Sequence, residues 1–131
     1  GLDSSSLIIK DGSGLSDFNA VPPVYLAKLS KLIMSGSGNY QVVLQGLPIA
    51  GESGSLASRF KGDNVDASGH IIAKTGWIKH GYTLAGIINS ADGTHLVFAV
   101  YALGNVKDDA KQAIDDLVTA MYRCGNTLSN D

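Results

Sequence analysis

Lys74-Thr75-Gly76 is the part of this chain whose residue types could do chemistry together. It closes an apolar run, His70-Ile71-Ile72-Ala73, so that a cation, a hydroxyl and a backbone without a side chain fall at one strand end. A lysine holds a carboxylate as a point charge, a threonine adds a directional hydrogen bond, and glycine lets a ligand approach the main chain. Trp77 follows and can offer its backbone N–H. Alone the tripeptide is a weak signal, because a strand running into a turn with a solvated lysine has the same letters.

A second polar segment lies upstream. Asp11-Gly12-Ser13-Gly14-Leu15-Ser16-Asp17-Phe18-Asn19 is rich in residues that tolerate positive φ or hydrogen-bond to nearby backbone, which predicts a shaped loop offering polar side chains. A third, Ala50-Gly51-Glu52-Ser53-Gly54-Ser55-Leu56, lies between the two. In this order the three segments resemble the penicillin-binding-protein superfamily, whose signature is Ser-x-x-Lys, then Ser-Asp-Asn or a variant, then Lys-Thr-Gly. More narrowly, the chain is similar to the class C low-molecular-mass D-alanyl-D-alanine carboxypeptidase/endopeptidases, and the likeness covers nearly its whole length.

The resemblance implies an α+β fold, an antiparallel sheet flanked by helices, and a serine acyl-transfer enzyme. Such an enzyme cleaves D-alanyl-D-alanine stems or cross-links of peptidoglycan through an acyl-enzyme, is trapped by penicillins, works outside the cytoplasm and uses no cofactor. Ser16 takes the second-motif role, relaying a proton towards the leaving amine. Asn19 holds a substrate amide through its carboxamide. Two residues separate it from Ser16 where the superfamily usually has one, so a structural turn residue remains the other reading of Asn19. Lys74, Thr75 and Gly76 anchor the free carboxylate of the terminal D-alanine, and the Trp77 N–H supplies half of an oxyanion hole. Strict strand alternation puts Thr75 opposite Lys74, so a twist or bulge is expected to bring both to the cleft.

The acylating serine is expected elsewhere. Ser58-Arg59-Phe60-Lys61 matches Ser-x-x-Lys in letters, but it falls between the other motifs where the family places its nucleophile upstream of both, and a loop role is the better expectation. Residues 1–131 are accordingly expected to be the C-terminal portion of the catalytic domain, completed by an N-terminal polypeptide that carries Ser-x-x-Lys. A start close to a strand agrees with something preceding it. Three other readings stay open: a β-lactamase, whose motifs overlap; a non-catalytic peptidoglycan-stem binder using only the Lys74 and Thr75 anchor; and an α+β structural module with a coincidental tripeptide.

Composition bounds the rest. The chain has 131 residues, 44% of them hydrophobic, enough for the core of one small domain. With 10 basic against 12 acidic residues, nothing in the charge favours nucleic acid or an anionic membrane as partner. The lone Cys124 excludes an intrachain disulfide, and a zinc site is not expected from the Cys and His spacing. Cys124 reads as a buried small residue at a helix end, or as a bridge to another chain. His70, His80 and His95 are scattered and read as surface or strand histidines, while Trp77 and Tyr82 either line a cleft or pack. No apolar run approaches the roughly 20 residues a membrane span needs, and no signal-peptide core is present, so the chain reads as soluble and mature.

Apolar spacing and breakers predict the elements that must position these groups. Ser6 to Lys10 reads as a strand and Pro23 to Ser35 as a helix, while Tyr40 to Gln45 fits a short helix or a strand. Pro48 to Gly69 reads as loop with a helical turn at Leu56 to Phe60. His70–Thr75, Tyr82–Asn89 and His95–Leu103 read as an antiparallel meander, the last two joined across Ser90 to Thr94. A helix capped by Asp108 or Asp109 and ended by Gly125 carries an apolar stripe of Ala110, Ile114, Leu117, Met121 and Cys124, with Asp115 and Asp116 on a solvated face and a fraying tail after it.

Overall fold

A computed structural model describes residues 4–104, 107 and 109–128. Three strands form one antiparallel sheet in the order β1 (Ile71–Ile78), β2 (Gly81–Asn89), β3 (His95–Leu103), as the alternating apolar pattern predicts. The β2–β3 connection is the expected Asp-Gly turn: Gly93 sits at φ 85°, and the Asp92 carboxylate accepts the Thr94 N–H at 2.9 Å. β1 runs three residues further than expected, through the whole Lys-Thr-Gly-Trp segment, because Trp77 pairs with Tyr82 and Ile78 with Gly81.

The two-residue period sorts the sheet into two faces. Ile71, Ala73, Leu84, Ile88 and Phe98 fall on one face and form the core with Leu56, Phe60, Ile114, Val118 and Tyr122. The other face carries Lys74, Thr83, Ala85 and Ile87, opposite Leu26, Leu29 and Ile33 of α1 (Pro23–Met34). Helices therefore flank the sheet on both sides, the α+β architecture expected. Gly86 is required where β2 crosses β1, since a Cβ there would collide with the backbone of Ile72 and Ala73.

Residues 40–46 settle as a helix, α2 (Tyr40–Gly46), with no buried residue. The terminal helix α3 (Ala110–Cys124) ends at Gly125 with φ 52°, as expected, but its stripe is rotated. Ile114, Asp115, Val118, Thr119 and Tyr122 are buried, whereas Leu117 and Cys124 are exposed. The helix turns its polar Asp115 and Thr119 inward because Asp115 has a partner, Arg59, and the purely apolar stripe misses that face. Asp109 precedes the helix without a side-chain capping bond, and Asp108 lies outside the described residues, as do positions 129–131 of the expected tail. Gly125–Leu128 is a 3₁₀ turn.

Two further expectations need correction. Ser6 to Lys10 is not a strand: only Ile8 pairs, through a single bridge to Ala20, since no neighbouring strand is offered to the rest. In the loop region the helical turn sits at Gly54–Leu56 instead of 56–60, and a second one, Gly62–Ala67, was not foreseen. Phe60, fully buried at φ 55°, breaks the backbone between them.

Candidate active site

The Asp11–Asn19 loop is organised by one carboxylate. Asp11 accepts the Gly14 N–H at 2.9 Å, the Ser16 N–H at 3.0 Å, the Ser13 hydroxyl at 3.1 Å and the Asn19 amide at 2.9 Å. The Asn19 amide first, then these donors, holds the Asp11 carboxyl below its ordinary value of 3.8. Gly14 takes φ 79°, which lets the chain fold around the acid. Ser16 is half-buried, and its Oγ accepts the Phe18 N–H at 3.3 Å.

Asn19 is used by the loop itself. Its Oδ1 accepts the Lys10 N–H at 2.7 Å while its amide donates to Asp11, so the carboxamide braces the loop entrance and keeps one of its two amide hydrogens for another acceptor.

β1 is an edge strand. Pro48–Ala50 covers its first half: the Ala73 N–H donates to Pro48 at 3.0 Å and the Ala50 N–H to Ile71 at 2.9 Å. These bonds show that odd-numbered residues direct their backbone groups outward, so by the same period the N–H groups of Thr75 and Trp77 point past the end of that cover. The oxyanion donor expected of Trp77 is thus aimed at open strand edge.

No bulge interrupts the register from Ile71 to Ile78, so Lys74 and Thr75 lie on opposite faces. The bulge is absent, and the side chain supplies the reach: the Lys74 ammonium comes round to the edge and donates to the Thr75 carbonyl at 2.8 Å. Thr75 turns its hydroxyl the other way, 2.9 Å from that of Ser55. Ser55 lies in the Ala50–Leu56 segment, and the fold pairs it with a strand residue twenty positions on, a long-range contact that local sequence signals do not carry. Gly76 has its own constraint, because a Cβ there would meet the Thr83 hydroxyl.

Three cavities meet this strand end. One of about 350 Å³ lies between β1 and α1 and touches Lys74, Thr75 and Gly76. A polar one of about 280 Å³ on the α3 side holds Thr75, Gly76 and Trp77 with Ser55, Arg59 and Lys111. The third, about 150 Å³, joins Gly14 of the Asp11–Asn19 loop to Gly76 and Trp77. The loop and the strand end thus share a cavity through Gly14, and Ser16 is not among the residues lining these three.

The remaining candidates resolve structurally. Around Ser58 the chain is not helical: Phe60 is left-handed, Lys61 is extended, and the Lys61 ammonium donates to the Gly51 carbonyl at 3.3 Å. Without a helix, the spacing that would set lysine beside serine is lost. Arg59 instead forms a buried ion pair with Asp115 at 2.6 Å, which corrects the expectation of a solvated face there. Asp116 is exposed and accepts from Asn64 and Gln112. His70 stacks on Tyr122, and His95 hydrogen-bonds Asn89 at 2.8 Å. Trp77 and Tyr82 stack on each other beside the polar cavity.

The D-Ala-D-Ala carboxypeptidase 3 (S13) family profile matches residues 1–123, so the chain belongs to that family. It is 33% identical to the carboxypeptidase DacB of Mycolicibacterium smegmatis, over 95% of this chain and 28% of that protein. The fold matches penicillin binding protein 4 (dacB) of Haemophilus influenzae at a TM-score of 0.80 and 26% identity, covering 91% of this chain and 28% of that one. The same protein complexed with a β-lactam matches at 0.77, again at 26% identity, with 89% of this chain and 28% of that one covered. The chain therefore spans under a third of the length of these relatives.

Proposed function

We propose that residues 1–131 are the C-terminal portion of the catalytic domain of a serine D-alanyl-D-alanine carboxypeptidase/endopeptidase, acting on peptidoglycan stems outside the cytoplasm and acylated by penicillins. The acylating serine and its lysine come from a Ser-x-x-Lys helix on an N-terminal polypeptide. The observation that carries this reading is the open edge of β1, which the Lys74 ammonium rounds and at which the Trp77 N–H is aimed, with Gly76 and Trp77 sharing a cavity with Gly14 of the loop that carries Ser16. Apolar side chains left at the surface, Phe18 at 78% and Leu15 at 73% exposed, support a further polypeptide covering that loop.

In this mechanism the incoming serine oxygen attacks the carbonyl of the penultimate D-alanine. The oxyanion is held by the Trp77 N–H and the N–H of that serine, two donors aimed where charge develops. The proton lost by the attacking serine goes to the lysine of Ser-x-x-Lys and is relayed through Ser16 to the departing amine, the C–N bond breaks, and D-alanine leaves with its carboxylate on the Thr75 hydroxyl. Water then hydrolyses the acyl-enzyme. Lys74 keeps a positive charge at the strand edge throughout, and Asn19 offers its remaining amide hydrogen to the stem.

The test joins this chain to the polypeptide carrying Ser-x-x-Lys and measures D-alanine release from a D-alanyl-D-alanine peptide. Ser16→Ala should lower kcat by about 10²- to 10⁴-fold, the usual worth of a positioned proton relay. Unchanged turnover in that variant would remove Ser16 from the proton relay, whereas saturable peptide binding in a calorimeter with no turnover by the assembly would replace the enzyme reading with that of a stem binder.

A further inference from the structure

The polar cavity on the α3 side of β1 contains two cations, and among the described residues only Arg59 has a carboxylate partner. Arg59 is bound to Asp115 through Nε and Nη2, with the Lys111 carbonyl accepting a further bond at 3.2 Å. That clamp fixes the first turn of α3 against the segment before Gly62–Ala67. It also sets Lys111 over the sheet, where its ammonium lies 4.9 Å from the centre of the Tyr82 ring. Among the described residues no carboxylate lies within salt-bridge distance of Lys111.

The two hydroxyls beside it are hydrogen-bonded to each other, and either can donate. Ser55 and Thr75 are 2.9 Å apart, and one of them must donate to the other. When Ser55 donates, the Thr75 hydrogen is released for an acceptor inside the cavity. A positive charge plus a free hydroxyl donor, with Trp77 and Tyr82 as an apolar wall, is chemistry suited to a carboxylate attached to a small organic residue. Lys74 starts from the opposite face and does not line this cavity; its ammonium donates one of its hydrogens to the Thr75 carbonyl at the strand edge.

We infer that Lys111 is the counter-ion of the substrate carboxylate held by Thr75, with Ser55 positioning the Thr75 hydroxyl. The two lysines then divide the work, Lys74 serving the acyl-transfer edge and Lys111 the leaving residue. This rests on the carboxypeptidase reading above and names the specificity determinant of that same site.

The experiment compares two substrates, a peptide ending in D-alanyl-D-alanine and its C-terminal amide, on the assembled enzyme. Lys111→Met should reduce kcat/KM for the free acid about tenfold or more, the loss of a charge-assisted hydrogen bond, mainly through KM, while the amide is hydrolysed as before. Lys111→Arg should retain most of the preference. An equal fall on both substrates, or no change on either, overturns the inference, and a melting curve matching the wild type excludes misfolding as the cause. Failure of the wild-type assembly to hydrolyse either substrate or to be acylated by penicillin would instead remove the carboxypeptidase reading, and this inference with it.

Discussion

The hydroxyl of Ser55 lies 2.9 Å from the hydroxyl of Thr75, so a residue in the glycine-rich turn at Gly54–Leu56 sets the rotamer of a residue on the strand edge. In the assembled enzyme, Ser55→Ala should raise KM for a D-alanyl-D-alanine peptide several-fold and leave kcat within about a factor of two, since a neutral hydrogen bond is worth about 1 kcal/mol. Steady-state kinetics check this, and Ser55→Thr should restore the KM.

Arg59 and Asp115 are buried together, with side chains 13% and 7% exposed. Asp115→Ala leaves the guanidinium without its partner, and chemical denaturation should show a loss of about 3–5 kcal/mol. Replacing both residues by apolar ones of similar volume should cost far less, because the unpaired charge is the main penalty.

The loop of Ser16 should open in acid. Its organiser, Asp11, has a folded pKa below 3.8, so its bonds favour the folded loop at pH above that value and are lost as pH falls through the lowered folded value. Asp92, which ties the β2–β3 turn to Asn126 and Thr94, is lowered for the same kind of reason and weakens in the same direction. Amide chemical shifts of Gly14 and Ser16 followed from pH 6 to pH 2 should move together on the acid side only, and Asp11→Ala should show the acid-form shifts at neutral pH.

Gly86→Ala should destabilise the fold by about 1–3 kcal/mol, because the added methyl overlaps strand backbone that cannot rotate away. The same change at Gly12, whose Cβ position is open, should be close to neutral in a thermal melt.

The meander and its turn were readable because strand alternation and the Asp-Gly pair are local signals. The loop at Asp11 was readable for the same reason, and the family resemblance rested on segments whose residues fall near one strand end. What escaped was long-range. The stripe through Leu117 and Cys124 looked core-facing because Asp115 seemed unfit for burial; its partner Arg59 is 56 positions away and was invisible to periodicity. Ile8 and Ile9 have strand-like residues, but a strand needs a neighbour along its length and only Ile8 has one. The twist or bulge expected at Lys74 was argued from backbone alone, whereas the lysine side chain is long enough to round the edge.

The most direct test of the account is peptide mapping, by mass spectrometry, of the penicillin adduct formed on the assembled enzyme. The account places the acyl group on the serine of a Ser-x-x-Lys segment in the N-terminal polypeptide, with residues 1–131 unmodified and with acylation slowed by Lys74→Ala. An adduct on Ser58, Ser16 or any other residue of this chain would contradict it.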